Sequence, residues 1–373
     1  MRKLPPLLMI FSLAALAQPA AHIVSPEVQG DGRVTFRFLA PNAIKTEIVV
    51  EGEPKPVPME KDQNGIWSAT VGPLQPDVYG YAFIADGVRL IDPNNPLMQP
   101  NLLGTDSAVH VPGPKSLPWE VNNVSHGEIH HHFFHSEIAG DDRDFYVYTP
   151  PNYDPRAKKE YPVLYLLHGF SDDASGWTSV GYSNVILDNM IAQGKAKPMI
   201  VVMPLGYGDL EVIHRGWRSS DDKDLERRNF SRFTDILLRE IMPRIEAAYQ
   251  TKNNPDSRAI AGLSMGGAES LFTGLNHLET FTWIGAFSSG GIGDRVFEDE
   301  FPELSSIANH KLKLLWIACG TEDSLIKVNR EFKVWLKGKG VQFTDIETPG
   351  MHSWMVWRRN LASLAQLLFQ SAP

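Results

Sequence analysis

The sequence predicts an α/β protein: a mostly parallel sheet with helices on both faces, preceded by a small β-sandwich. Three observations predict it. Residues 23–111 carry only short strand-type segments separated by Pro, Gly, Asn and Asp turns. Beyond residue 125, continuous apolar strands alternate with helical patterns. Between them, residues 111–118 are too rich in proline for a continuous helix or a central strand. The boundaries expected from these changes are 22–111 for the sandwich, 112–125 for a linker and 126–373 for the α/β unit.

The first residues stand apart. Arg2 and Lys3 precede an apolar run from Leu7 to Leu16, and Ala15-Leu16-Ala17 offers small residues for cleavage. That layout predicts a secretory signal peptide over 1–17, too short to span a bilayer, and a secreted or periplasmic protein. The 373 residues, 43% of them apolar, suffice for two packed cores. A net charge of −9 argues against nucleic acid and against anionic membranes, and favours a neutral partner such as a polysaccharide or acylated oligosaccharide. The single cysteine, Cys319, leaves no internal disulfide and sits in an apolar strand, where an inert core thiol is expected.

Within the first unit, strands are expected at 34–38, 47–50, 65–71 and 79–83. The stretch Gly65-Ile66-Trp67 through Val71-Gly72-Pro73-Leu74 to Tyr79-Gly80-Tyr81, then Asp86-Gly87 and Ile91-Asp92-Pro93-Asn94-Asn95, resembles early-set, immunoglobulin-like modules, including family-48 carbohydrate-binding modules. Trp67 and Tyr81 fit either a sugar platform or the sandwich core, with core packing the expectation.

In the second unit, residues 163–167 and 199–203 are apolar throughout, as strands covered on both faces should be. Further strands are expected at 283–287 and 313–318, and an amphipathic helix at 235–249, interrupted by Pro243.

The chemistry centres on Gly262-Leu263-Ser264-Met265-Gly266, between the strand-type run 258–261 and a helix start. A serine so placed matches a nucleophile elbow, a sharp turn that lifts the hydroxyl clear of the backbone. Such a hydroxyl needs a base, and the base needs a carboxylate to fix its tautomer. After the strand ending at Cys319 comes Gly320-Thr321-Glu322-Asp323-Ser324, and Asp323 is the expected acid, with Glu322 its neighbour and rival. His352, in Pro349-Gly350-Met351-His352-Ser353-Trp354, is the expected base on a loop before the last helix. An oxyanion hole requires two backbone N–H groups; Met265 supplies one, and Phe170 after Leu166-Leu167-His168-Gly169 the other. His168 is assigned to shaping that loop. No metal or organic cofactor is required by such chemistry.

The segment from about Gly127 to Leu368 is similar to carbohydrate esterase family 1 and the esterase D group. Tyr146-Val147-Tyr148-Thr149-Pro150-Pro151-Asn152-Tyr153, Leu166-Leu167-His168-Gly169, Gly262-Leu263-Ser264-Met265-Gly266-Gly267, Cys319-Gly320-Thr321-Glu322-Asp323-Ser324-Leu325 and Gly350-Met351-His352-Ser353-Trp354 carry the resemblance. It implies an α/β-hydrolase fold, a triad at Ser264, Asp323 and His352, and a secreted feruloyl esterase acting on polysaccharide such as arabinoxylan. Acetylxylan esterase is the nearest alternative, a ferric enterobactin-type esterase a further one. A glycan-binding protein with an inactive esterase domain is the reading outside enzymes. Asn152 stands where the family pattern usually has Gly, which a left-handed turn tolerates.

Other residues compete for roles. Trp177, Tyr207 and Trp354 are expected to rim the site, with core packing an equal alternative for Trp354. His130, His131, His132 and His135 look like a metal cluster, but on a strand only alternate residues share a face, so no metal site is expected.

Overall fold

The computed structural model describes residues 23–289 and 296–370. The expected signal peptide, 1–17, lies outside them. Two antiparallel sheets of four and six strands pack face to face in the N-terminal unit. Alternation fills the space between them: Val34, Phe36 and Phe38 point inward from Val34–Leu39 to meet Ile48, Tyr81 and Phe83. The Phe36–Tyr81 and Phe38–Phe83 ring centroids are each 4.7 Å apart. Trp67 and Tyr81 belong to this core. Trp67 Nε1 donates to Ala40 O at 2.9 Å and the Tyr81 hydroxyl to Asp92 at 2.8 Å, so neither offers a sugar platform.

Among the described residues the C-terminal unit has eight strands: β1 (Glu128–Ser136), β2 (Asp141–Thr149), β3 (Val163–Leu167), β4 (Ile200–Pro204), β5 (Arg258–Leu263), β6 (Trp283–Phe287), β7 (Leu314–Gly320) and β8 (Thr344–Thr348). Their order is β1-β2-β4-β3-β5-β6-β7-β8. From β4 to β8 every pairing is parallel, because a helix crosses over between successive strands. The edge departs from this. β1 and β2 are joined by the short turn at 137–140, which forces them antiparallel. This is the α/β-hydrolase architecture, with apolar clusters on both faces of the sheet.

The helix expected at 235–249 is longer and in three parts. It starts at Lys223, where the Asp222 side chain caps Leu225 N–H at 3.0 Å, and runs to Ile236. A π-turn, Leu237–Ile241, then precedes Met242–Ala248. Pro243 lacks an N–H and crowds the preceding turn, which accounts for the wider turn there. Cys319 is fully buried, and burial pushes its thiol up to about 12. Segment 112–125 is docked against the protein. Trp119 is buried, Glu120 accepts from Gly113 N–H, and Asn189 Nδ2 donates to Pro118 O and Glu120 O. No helix among the described residues is long and apolar enough to cross a membrane.

Candidate active site

β5 delivers Ser264 at its C-terminal end, and the helix Met265–Asn276 leaves at once. The turn between them holds Ser264 at φ 52°, ψ −116°, a conformation disfavoured by about 1–3 kcal/mol for a residue with a Cβ. Two glycines allow it. A side chain on Gly262 would collide with the Gly266 carbonyl, and one on Gly266 with the Leu167 and His168 carbonyls. The Ser264 N–H donates to Phe287 O of β6 at 2.8 Å, which ties the strained turn to the sheet.

Asp323 and His352 arrive from the ends of β7 and β8. Asp323 follows β7 and is 2% exposed; His352 follows β8 on a loop that opens onto solvent. His352 Nε2 lies 3.0 Å from Ser264 Oγ, and Nδ1 lies 3.0 and 3.1 Å from the two Asp323 oxygens. Burial alone would raise the Asp323 pKa. The His352 hydrogen bond and charge, the Leu325 N–H and the Ser288 hydroxyl outweigh it and hold the carboxyl below its ordinary value. An ionised Asp323 keeps the proton on Nδ1 and leaves Nε2 to accept from the serine. Glu322, the rival acid, turns the other way and accepts from Gly350 N–H, bracing the loop that carries His352.

Met265 and Phe170 line the cavity beside Ser264. Met265 is the first residue of its helix, so its N–H has no intrahelical acceptor and sits at the positive end of the dipole. Phe170 follows His168-Gly169 after β3. Gly169 lets this loop approach, since a Cβ there would lie 2.6 Å from Leu263 Cδ1. Neither amide has a hydrogen-bond partner among the described residues. His168 is buried, and burial lowers its pKa. As the neutral ring it donates from Nδ1 to Gly169 O and accepts Gly206 N–H at Nε2, both at 2.8 Å. It shapes the loop.

Two hollows meet at Ser264. One, of about 330 Å³, is walled chiefly by Phe170, Val212, Trp217, Phe230, Met265 and Leu325. The other, of about 600 Å³, runs between the two units. Its sandwich side presents Glu51, Arg89, Gln99, Asn101 and Asp106 opposite Ser264 and His352. Arg89 and Asp106 pair there through two hydrogen bonds, at 2.9 and 2.7 Å.

The expected rim residues are corrected. Trp177 is 1% exposed, donates Nε1 to Leu167 O at 2.8 Å, and packs edge-on against Phe287 and Trp354. Tyr207 is fully buried, its hydroxyl on Asp172 O at 3.0 Å. Neither reaches either hollow. Trp354 is 4% exposed and mainly core, with an edge on the larger cleft. The aromatic side chain at the mouth is Trp217, 72% exposed and 4.8 Å from the Phe170 ring. It lies in the 3₁₀ segment Gly216–Asp221, which carries no periodic pattern, and the sequence reading missed it. The histidines on β1 have separate partners: His131 pairs with Asp144, His132 with Tyr249 and His135 with Asp142.

Residues 136–367 match the Esterase family model, and residues 22–97 match Carbohydrate-binding module 48 (Isoamylase N-terminal domain). An endo-1,4-beta-xylanase/feruloyl esterase of Xylanibacter ruminicola is 31% identical over 92% of this chain. The chain spans about half, 46%, of that relative's length. An acetyl esterase of Caldicellulosiruptor saccharolyticus is 24% identical over 54% of this chain and 80% of its own. Among solved structures, a CE1 ferulic acid esterase from Anaeromyces mucronatus superposes with a TM-score of 0.60 at 24% identity, covering 69% of this chain and 96% of that one. The enterobactin esterase of Shigella flexneri covers 91% of this chain and 93% of its own, with a TM-score of 0.69 at 18% identity.

Proposed function

The chain belongs to the esterase family and is a carboxylic-ester hydrolase, and from that premise we propose that it is a secreted serine esterase releasing feruloyl groups from plant cell-wall polysaccharide such as arabinoxylan. Ser264 attacks the ester carbonyl while His352 Nε2 takes its proton, and Asp323 holds the imidazolium that forms. The Met265 and Phe170 amides receive the oxyanion. His352 then gives that proton to the departing sugar oxygen as the ester C–O bond breaks, and water repeats the sequence on the acyl-enzyme.

One observation carries the choice of acyl group. The hollow of about 330 Å³ beside Ser264 is lined by Phe170, Trp217 and Phe230, a size and surface suited to an aromatic acyl chain. An acetyl group would leave most of it empty. The cleft between the units, with the Gln99 and Asn101 amides, the Arg89 guanidinium and the Asp106 carboxylate, suits the hydroxyls of the sugar on the leaving side. The secreted location rests on the charged and apolar pattern of the first seventeen residues. An acetylxylan esterase is the second reading, favoured by the similarity to the Caldicellulosiruptor acetyl esterase.

Relative kcat/KM on methyl ferulate, 4-nitrophenyl acetate and acetylated xylan separates the two. Preference for methyl ferulate supports the feruloyl reading; acetyl release from xylan with negligible ferulate release would replace it.

A further inference from the structure

The C-terminal helix Trp354–Ala365 begins two residues after His352, and its N-cap residue Ser353 makes no side-chain capping hydrogen bond. The cap comes from elsewhere. Trp354 N–H, the first amide of the helix, donates to Glu51 Oε1 at 2.8 Å. Glu51 belongs to the sandwich, just beyond its strand Thr46–Val50, and its other oxygen accepts Gly80 N–H at 3.1 Å. A carboxyl oxygen there satisfies an orphan amide and faces the positive end of the helix dipole.

The same helix is fastened to the sandwich at three further points. Met355 packs against the sandwich core beside Gly52, and Arg358 and Arg359 both pair with Asp77. Positions 354, 355, 358 and 359 lie along one stripe of a helix. Trp357 then supports the base itself. Its ring stands edge-on to the His352 imidazole, with centroids 4.9 Å apart at 87°, and its Nε1 donates to Ser288 Oγ at 3.1 Å. Where this helix sits therefore sets both the end of the His352 loop and the wall against which the ring rests.

We propose that Glu51 is a positioning residue for the general base: through it the sandwich fixes the first turn of the C-terminal helix, and so the placement of His352 between Ser264 and Asp323. The inference rests on the reading of those three residues as the catalytic set. It gives the N-terminal unit a part in turnover, separate from any glycan binding. Burial pushes the Glu51 carboxyl up, while Arg358 and the two amides oppose it; Asp77 and Asp172 are the other charged groups that bear on it.

The test is kcat and KM for a 4-nitrophenyl ester across pH in Glu51→Ala and Glu51→Gln, with thermal melting alongside. Displacement of a base by about 1 Å costs roughly 10–100-fold in rate. Glu51→Ala should lose that much kcat, with KM held within about twofold, and Glu51→Gln, which keeps one acceptor oxygen, should fall between it and wild type. The acid limb of the kcat profile, which reports ionisation of groups in the bound complex, should move in the alanine variant. A raised KM at unchanged kcat makes Glu51 a substrate contact and overturns the proposal, as do wild-type values of both. Should Glu51→Ala not fold, the downfield proton resonance of His352 Nδ1–H in Glu51→Gln decides. A shifted or broadened signal supports the proposal and an unchanged one overturns it. Ester hydrolysis surviving in Ser264→Ala would remove the catalytic reading itself, a failure distinct from these.

Discussion

Arg358 and Asp77, 281 residues apart in sequence, form an ion pair with both side chains fully withdrawn from solvent, Nη2 to Oδ1 at 2.7 Å. Arg358 Nε also reaches Asp77 Oδ1, and Nη1 donates to Val180 O at 2.8 Å. Such a pair adds little net stability over apolar packing, but removal of one partner strands the other charge without water. Asp77→Ala should therefore destabilise the protein by roughly 3–5 kcal/mol. The double variant Asp77→Leu with Arg358→Met should recover most of that loss. Urea unfolding of the single and double variants measures the difference.

Ser264 carries backbone strain at the position proposed for the nucleophile. Glycine adopts φ 52° freely, so Ser264→Gly should stabilise the fold by about 1 kcal/mol while removing the nucleophile. Ser264→Ala should lose activity by several orders of magnitude, roughly 10⁴–10⁶, with folding intact. A melting temperature of Ser264→Gly below that of Ser264→Ala would contradict the strain argument.

Asp172, in the loop after β3, is buried and accepts from Asn101 Nδ2 of the sandwich at 3.2 Å. Burial is the main cause that pushes its pKa up to about 7. Between the ordinary carboxylate value and 7, the folded state holds a proton that the unfolded chain releases. Stability from this group is thus complete at low pH and is lost as pH rises through 7. Asp172→Asn should stabilise the protein at pH 8 by on the order of 1–3 kcal/mol, read as a higher melting temperature, and change its stability little near pH 4. Equal effects at both pH values would rule out the titration of Asp172 as the cause.

Trp217 stands at the mouth of the smaller hollow against Phe170. Trp217→Ala should reduce kcat/KM on methyl ferulate roughly tenfold, the scale of one lost aromatic contact, and reduce it far less on 4-nitrophenyl acetate. Steady-state kinetics with the two esters checks the ratio. A parallel loss on both would place Trp217 in general folding of the loop.

Ser264 and Asp323 could be picked out as candidates because each follows a strand of strong apolar pattern, whereas His352 follows the polar edge strand Thr344–Thr348 and is marked by the Gly350-Met351-His352 turn before the last helix. Strand-end position is a local property, and the parallel sheet converts it into spatial convergence. The rim was not legible in this way. Trp177, Tyr207 and Trp217 are all aromatic residues on segments outside the strands, and nothing in their neighbours says which ring finds a core. Trp177 is buried because Leu167 O, Phe287 and Trp354 surround it; Trp217 is exposed because its short 3₁₀ turn crosses the cavity mouth. The N-terminal part of the long helix was missed for another reason. Its start depends on the Asp222 cap, where apolar spacing is sparse.

By itself, the sequence determined the sandwich and the α/β sheet, because side-chain periodicity and turn residues act over a few positions. It likewise determined the sharp turn at Ser264, whose glycines are required by close backbone contact. Only the tertiary structure decided how the two units meet. Glu51 and Trp354 are 303 residues apart, as the helix after His352 docks on a strand end of the sandwich. Such pairings arise from packing between separately patterned surfaces, and no local pattern encodes the partner.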